Sequence, residues 1–436
     1  MLSKIKLSKL EYAFNVCFLF LYIFQPLVCK VSTIVILDIW LLLVIMLYIG
    51  GKSKFVIKIN GNIGKCILGF LPFFIYYVTE MMLRAFVLKD NHFSLYLYNI
   101  MIVFLILIRI VMVTWYLLIL IIDKEYTFEK TIKMFIYSAV LQVCFVILTF
   151  KIPFVRSFLN DMTIKYSNSV YVVRALKLDT YRSYGFSGNL FDSFGYKTAL
   201  LIIIAFAYAM DRRKMTGIIL SIFMFIMPLL NARTGVYLGI LGITIVVLMY
   251  LKKITGEAVL KGTFLILLVM LMLMLLFHTL PEETRKWIYR GMEATVLLIQ
   301  KGEHTGVYEV LLDSNWVMPP NILFGAGGTP EQIITRGIES GYVNCIWQYG
   351  IIGSILLFGG YVNVFFRAYR SSIDRFRKSI AISFFLIFFI YLIKLFSLYN
   401  TGANMIILGI PLVLIIDEGQ NNKEYKVKRG IYRDVL

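Results

Sequence analysis

The chain has 436 residues, of which 60% belong to the hydrophobic set AVILMFWYC and 16% are charged, and its mean hydropathy is +0.81. Soluble domains run near ~45–50% apolar and ~25% charged, so this composition excludes a cytosolic enzyme, a disordered chain and a disulfide-stapled scaffold; it describes a polytopic membrane protein. The formal net charge of +19, from 44 Lys+Arg against 25 Asp+Glu, then needs a cause: nucleic acid, anionic lipid, membrane topology or an anionic substrate.

A bilayer core of about 30 Å takes about 20 apolar residues as a helix. Twelve windows meet that requirement: 11–29, 32–50, 66–83, 95–122, 132–150, 191–210, 215–231, 234–251, 260–279, 341–366, 380–398 and 401–416. The first follows Lys4, Lys6 and Lys9 and resembles a signal peptide. It lacks a small-x-small cleavage site and leads into further spans, so it reads as an uncleaved first helix. The fourth is long enough to be tilted or broken. The seventh and eighth are short and are joined by the turn Asn231-Ala232-Arg233-Thr234.

With the N-terminus cytoplasmic, the inside segments carry 26 basic residues and the short outside loops 4. That alternation follows the positive-inside rule. It predicts a single integral membrane domain over 1–436, all-α, with twelve spans and both termini cytoplasmic. Long extracytoplasmic loops fall at 151–190 and 280–340, the larger one before the tenth span, and 417–436 is a cytoplasmic tail. Topology thus accounts for most of the charge without nucleic acid. The remainder is 11 basic residues on the two long outside loops, where the rule does not require them.

The cysteines Cys17, Cys29, Cys66, Cys144 and Cys345 lie within or at the edges of spans, and an odd count there argues against a disulfide framework. No His/Cys/Asp/Glu grouping has zinc-like spacing, and neither a Walker A motif nor a dinucleotide fingerprint is present, so no metal or other cofactor is expected. The absence of a visible internal repeat weighs against a secondary transporter. Asp38, Arg109 and Lys394 fall inside spans. Unpaired charge is expensive there, so they point either to a helix-tying pair such as Asp38 with Arg109 or to a polar cavity.

Three stretches carry chemistry. Arg182-Ser183-Tyr184-Gly185-Phe186-Ser187-Gly188-Asn189 precedes the sixth span. It joins a guanidinium to glycines that let backbone amides approach an anion, and Asn189 adds donors and an acceptor. The alternative is a glycine-rich entry to a helix with Arg182 snorkelling to headgroups. Asn231-Ala232-Arg233-Thr234-Gly235 puts Arg233 at the membrane boundary, as a second phosphate ligand or as an interfacial anchor; two guanidiniums together suit a diphosphate. The third runs from Asn321 through Gly325, Gly327 and Gly328, then from Glu339 and Tyr342 to Gly350 and Gly353. Its glycines are a phosphate loop or simple turn chemistry, and Glu339 is a candidate general base. Between them, 282–300 has the pattern of an amphipathic helix on the outer leaflet: Trp287, Ile288, Met292, Val296 and Ile299 recur at helical spacing beside Arg285, Lys286 and Arg290. Trp287, Tyr289, Tyr308 and Trp316 suit either sugar stacking or an interfacial belt.

The order of these stretches resembles the O-antigen ligase/polymerase superfamily, and within it the Wzy-type bacterial polysaccharide polymerases. The likeness rests on Arg182, Gly185 and Asn189 before a span, and on Arg233 and Gly235 in a hairpin. A large loop then ends in Leu323-Phe324-Gly325-Ala326-Gly327, and Gly350 to Gly353 follow; it covers roughly 180–355. It implies a GT-C-like, metal-independent glycosyltransferase of the bacterial cytoplasmic membrane. The enzyme would join oligosaccharide repeat units carried on undecaprenyl diphosphate into capsule, exopolysaccharide or O-antigen, among membrane lipids and with a chain-length regulator as a candidate partner. Arg182 and Arg233 would hold the donor diphosphate, supported by Gly185, Asn189, Gly325, Gly327 and Tyr342, and Glu339 would be the base. The related ligases carry a His-Asn pair where this chain reads Glu339-Ser340-Gly341-Tyr342, which favours polymerase over ligase. A flippase for lipid-linked oligosaccharide is the alternative of another class.

Overall fold

The structure is a computed structural model. It describes residues 2–51, 64–86, 93–122, 126–167, 172–173, 176–177, 182–188, 190–251, 277–302, 316–326, 340–372, 374–394 and 400–415. Asn189, Gly327, Glu339, most of the ninth window and the 417–436 tail lie outside these residues. Among the described residues the chain is helical and has no strand. Seven helices there are long and apolar enough to cross a membrane: Gly64–Phe86, Tyr96–Ile121, Phe128–Lys151, Phe191–Arg212, Arg233–Tyr250, Gly341–Ser371 and Arg375–Lys394. A helix without a polar face leaves no side for water, and the chain is a polytopic all-helical membrane protein.

In chain order the elements are α1 (Leu2–Phe24), α2 (Thr33–Gly51), α3 (Leu71–Phe86), α4 (Phe93–Ile122), α5 (Phe128–Lys151) and α6 (Pro153–Tyr166). They continue with α7 (Phe191–Arg212), α8 (Met215–Phe223), α9 (Ile226–Leu229), α10 (Arg233–Tyr250) and α11 (Glu282–Lys301). Last come α12 (Gly341–Ser371), α13 (Arg375–Lys394) and α14 (Thr401–Asn404), which runs on through a π turn at Met405–Gly409. The fourth window is one continuous helix. The seventh is broken between α8 and α9, just before Pro228, which has no N–H to give the preceding turn. Helix α6, opened by Pro153 at its first turn, lies in the 151–190 segment that hydropathy leaves as loop.

Two compact units form, each discontinuous in sequence: Met1–Ile39 with Glu129–Tyr308, and Trp40–Phe128 with Glu309–Leu436.

The first unit is centred on α7, which is buried along most of its length. Helix α10 lies against it in the same direction: Gly235 meets Gly195, and Gly242 meets Ile203 further along. A Cβ on Gly235 would stand 2.6 Å from the Gly195 carbonyl oxygen, so the helices approach backbone to backbone, as small residues allow inside a bilayer. Helix α1 ends at the same level. Its last carbonyls lack intrahelical partners: Ile23 accepts from Lys197 Nζ (2.9 Å), and Phe24 accepts from Ser187 Oγ (3.2 Å) and Gly188 N (3.1 Å). Fully buried Lys197 thus supplies its amine as a donor to the open carbonyl end of α1. Asp38 accepts from Tyr22 Oη at 3.0 Å.

In the second unit α12 packs on α13. The rings of Tyr361 and Phe388 stack at 4.3 Å, and Tyr342 Oη donates to Phe389 O at 2.8 Å. Helix α12 is kinked at Gly350, whose φ is 68°. There the segment 321–326 replaces one helical bond: Ile351 N donates to Ile322 O (2.9 Å), and Ala326 N donates to Trp347 O (2.9 Å). A Cβ on Gly350 would stand 2.1 Å from Leu323 O, and one on Gly325 2.7 Å from Gly350 N. Arg84 clamps the same segment, donating to Phe324 O (2.9 Å), Gly325 O (3.0 Å) and Tyr96 Oη (2.7 Å) while paired with Glu80 (2.7 Å).

Candidate functional site

The parallel pairing of α7 with α10 brings two distant segments to one end of the first unit. Arg182 lies on the loop entering α7, and Arg233 is the first residue of α10. The start of α10 is tied to the start of α7 by Thr234 Oγ1 donating to Asp192.

The loop 182–188 is held from several sides. Gly185 has a φ of 60°, and a Cβ there would stand 2.9 Å from both Gln142 Nε2 and Val146 N, so glycine lets the loop lie on α5. Gln142 Nε2 donates to Tyr184 O at 2.8 Å. Ser183 Oγ donates to Val146 O (2.9 Å) and lies 2.6 Å from Thr149 Oγ1, and Ser183 N donates to Leu230 O at 3.3 Å. Arg156, from α6, donates from Nη2 to the Arg182 carbonyl at 2.8 Å.

Two cations converge on this frame. The guanidinium carbon of Arg182 lies 5.2 Å from the ring centroid of Trp287 and 5.2 Å from that of Phe191; that of Arg233 lies 4.9 Å from the same Trp287 ring. Trp287 is buried, as is Ile288 beside it, whereas Lys286, Tyr289 and Arg290 are exposed. Helix α11 is therefore amphipathic, as its spacing predicts, although Val296 of the expected apolar stripe is exposed. An indole face attracts guanidiniums by about 0.5–2 kcal/mol each, so one aromatic anchor serves both arginines.

Next to this cluster is a small cleft with room for about one water molecule, lined by Thr149, Arg156, Asn160, Leu176, Arg182, Ser183, Tyr184 and Gly185. Arg182 Nη1 donates to Tyr184 Oη at 3.2 Å. Burial lowers the Arg156 guanidinium from its ordinary pKa, but arginine stays protonated far above neutrality, so Arg156 keeps its charge at physiological pH.

The predicted residues are thus distributed unevenly. Arg182, Arg233 and Gly185 come together in the first unit. Gly325 and Tyr342 belong to the second: the Gly325 amide donates to Asn321 O at 2.8 Å, and Tyr342 ties α12 to α13. Asn189, Gly327 and Glu339 lie outside the described residues. Sequence reasoning missed Arg156, and it did not show that the Trp287 ring meets both arginines. Among the described residues no three His, Cys, Asp or Glu side chains group as a metal site. No protein-family model matches the chain, and no curated protein matches it.

Proposed function

We propose that this protein is a polymerase of lipid-linked oligosaccharide repeat units, working at the extracytoplasmic face of the bacterial cytoplasmic membrane. It has twelve spans, both termini in the cytoplasm, and the 151–190 and 280–340 loops outside. The observation that supports this best is the meeting of Arg182 and Arg233 on Trp287. Two guanidiniums gathered at one helix-pair end suit the charge of an undecaprenyl diphosphate.

In this reading the arginines bind the donor diphosphate and stabilise the negative charge that develops as it leaves. Preorganised donors aimed at a leaving group contribute several kcal/mol to such transfers. The acceptor hydroxyl at the end of the next repeat unit attacks the anomeric carbon. The C–O bond to the diphosphate breaks, and the hydroxyl proton passes to a base, for which Glu339 is the candidate. No metal is required. A chain-length regulator is a partner consistent with this role.

The test is made in a producing strain. Arg182→Ala and Arg233→Ala are expected to abolish long polymer while single repeat units still reach the surface. Full-length glycan from both variants contradicts the diphosphate assignment.

A further inference from the structure

Helix α6 follows the span α5 after a single residue, Ile152. Its 14 residues rise about 21 Å, short of the ~30 Å bilayer core. One side of it is spoken for. Leu159 and Thr163 are buried, and Arg156, on the same side, donates to the Arg182 carbonyl at 2.8 Å. The opposite side holds Phe154, Phe158, Asp161 and Lys165, at the spacing of one helix face and all exposed. Phe154 is 78% exposed and Phe158 59%. A single exposed apolar residue needs no explanation, but these two rings are neighbours one turn apart.

Their position in the chain says what covers them. Lys151 is the last residue of α5, a helix long and apolar enough to cross the membrane. Three residues of chain reach at most about 11 Å, so Phe154 stays close to the level at which that span ends. Leu148, on the last turn of α5, and Ile152 after it are exposed as well, as the side of a span that meets lipid must be. Apolar surface therefore continues from the span onto the first turn of α6.

We propose that α6 is an interfacial helix, with Phe154 and Phe158 seated in the lipid of the leaflet where α5 ends, the outer leaflet in the topology proposed above. Such helices bury their apolar side about 5–10 Å into the boundary between headgroups and acyl chains. Asp161 and Lys165 share the face of the two rings, and ionised groups are costly in hydrocarbon, so the helix enters at an angle. Phe154 lies deepest, Phe158 nearer the headgroups, and the charged half stands in water, where Asp161 accepts from Ser157 Oγ at 3.2 Å. Arg156 falls between the two phenylalanines in sequence and points the other way, so α6 joins the lipid boundary to the loop that bears Arg182. The proposal goes beyond the polymerase reading and does not depend on it.

The test measures depth. The full chain in phosphatidylcholine nanodiscs carries Phe154→Trp, Phe158→Trp, Asp161→Trp or Lys165→Trp, and emission is taken as the difference from wild type with its five native tryptophans. The quenchers are phosphatidylcholine brominated on its acyl chains and acrylamide in the water. Bromolipid quenching should fall in the order 154, 158, 161, 165, and acrylamide quenching should rise in the same order. Phe154 replaced by p-benzoylphenylalanine, which keeps a phenyl ring, should cross-link to phospholipid on irradiation. Acrylamide quenching as strong at 154 and 158 as at 165 would put α6 in water and overturn the proposal. Quenching by neither agent at 154 and 158, or a cross-link to protein alone, would put another segment or a second copy over the rings and overturn it as well. Equal bromolipid quenching at all four positions would contradict the angled entry. None of these results bears on polymer synthesis by the Arg182 and Arg233 variants, so this proposal and the proposed function fail separately.

Discussion

Arg182 and Arg233 share one indole: their guanidinium carbons lie 5.2 Å and 4.9 Å from the ring centroid of Trp287. Trp287 stands on an amphipathic helix of the 280–340 segment, so that segment holds the cations in place. Replacing the ring removes two cation–π contacts at once. Trp287→Ala should lower polymer synthesis about 10-fold or more, and Trp287→Phe, which keeps an aromatic face, should lose less. Polymer yield per molecule of membrane-inserted protein measures this; equal yields from Ala and wild type would show that the shared ring is incidental.

Gly350 and Gly325 meet backbone to backbone where the 321–326 segment enters the kink of α12. Gly350→Ala places a methyl 2.1 Å from Leu323 O at a φ of 68°. That cost exceeds the usual gain from replacing glycine, so the variant should melt at a lower temperature in detergent. Gly359→Ala, in the same helix with nothing within 4 Å of its Cβ, should be neutral or stabilising by up to about 1 kcal/mol. A thermal-shift comparison of the pair checks the assignment.

Gly235→Val acts on the site through packing. Its Cβ direction meets the Gly195 backbone at 2.6–2.7 Å, so α10 must move away from α7 and carry Arg233 with it. Stability and polymer yield should fall together, whereas Arg233→Ala should reduce yield and leave Tm nearly unchanged. Measuring Tm and yield on both variants separates the two effects.

Seven of the expected spans were legible because a helix with no polar face declares itself by composition alone, and Arg182 and Arg233 stood out as basic residues beside glycines at span ends. Other features depended on tertiary contact. Helix α6 escaped because its 14 residues mix Arg156, Asp161 and Lys165 with apolar ones, too short and too polar for a span. Arg156 has no flanking motif; its meaning comes from the Arg182 carbonyl it reaches. The glycines after Leu323 looked suited to phosphate, yet the Gly325 amide is bonded to Asn321 and its Cα abuts Gly350. Local sequence shows that a glycine is needed and leaves open whether a ligand or another backbone needs it. Trp287 was visible as one face of an amphipathic helix, and only the fold shows which cations it meets.

Independence from metal follows from a mechanism in which guanidiniums neutralise the leaving group. Activity of the purified protein should survive EDTA unchanged, and loss of activity that added Mg²⁺ or Mn²⁺ restores would remove that part of the account.

The most direct measurement is reconstituted polymerisation. Purified wild-type protein in nanodiscs is given prenyl-diphosphate-linked repeat units and nothing else, and the products are resolved by length. A ladder of polymers with release of prenyl diphosphate, lost in Arg182→Ala and in Arg233→Ala, is the predicted result. A full ladder from either arginine variant, or no ladder from wild type, would contradict it.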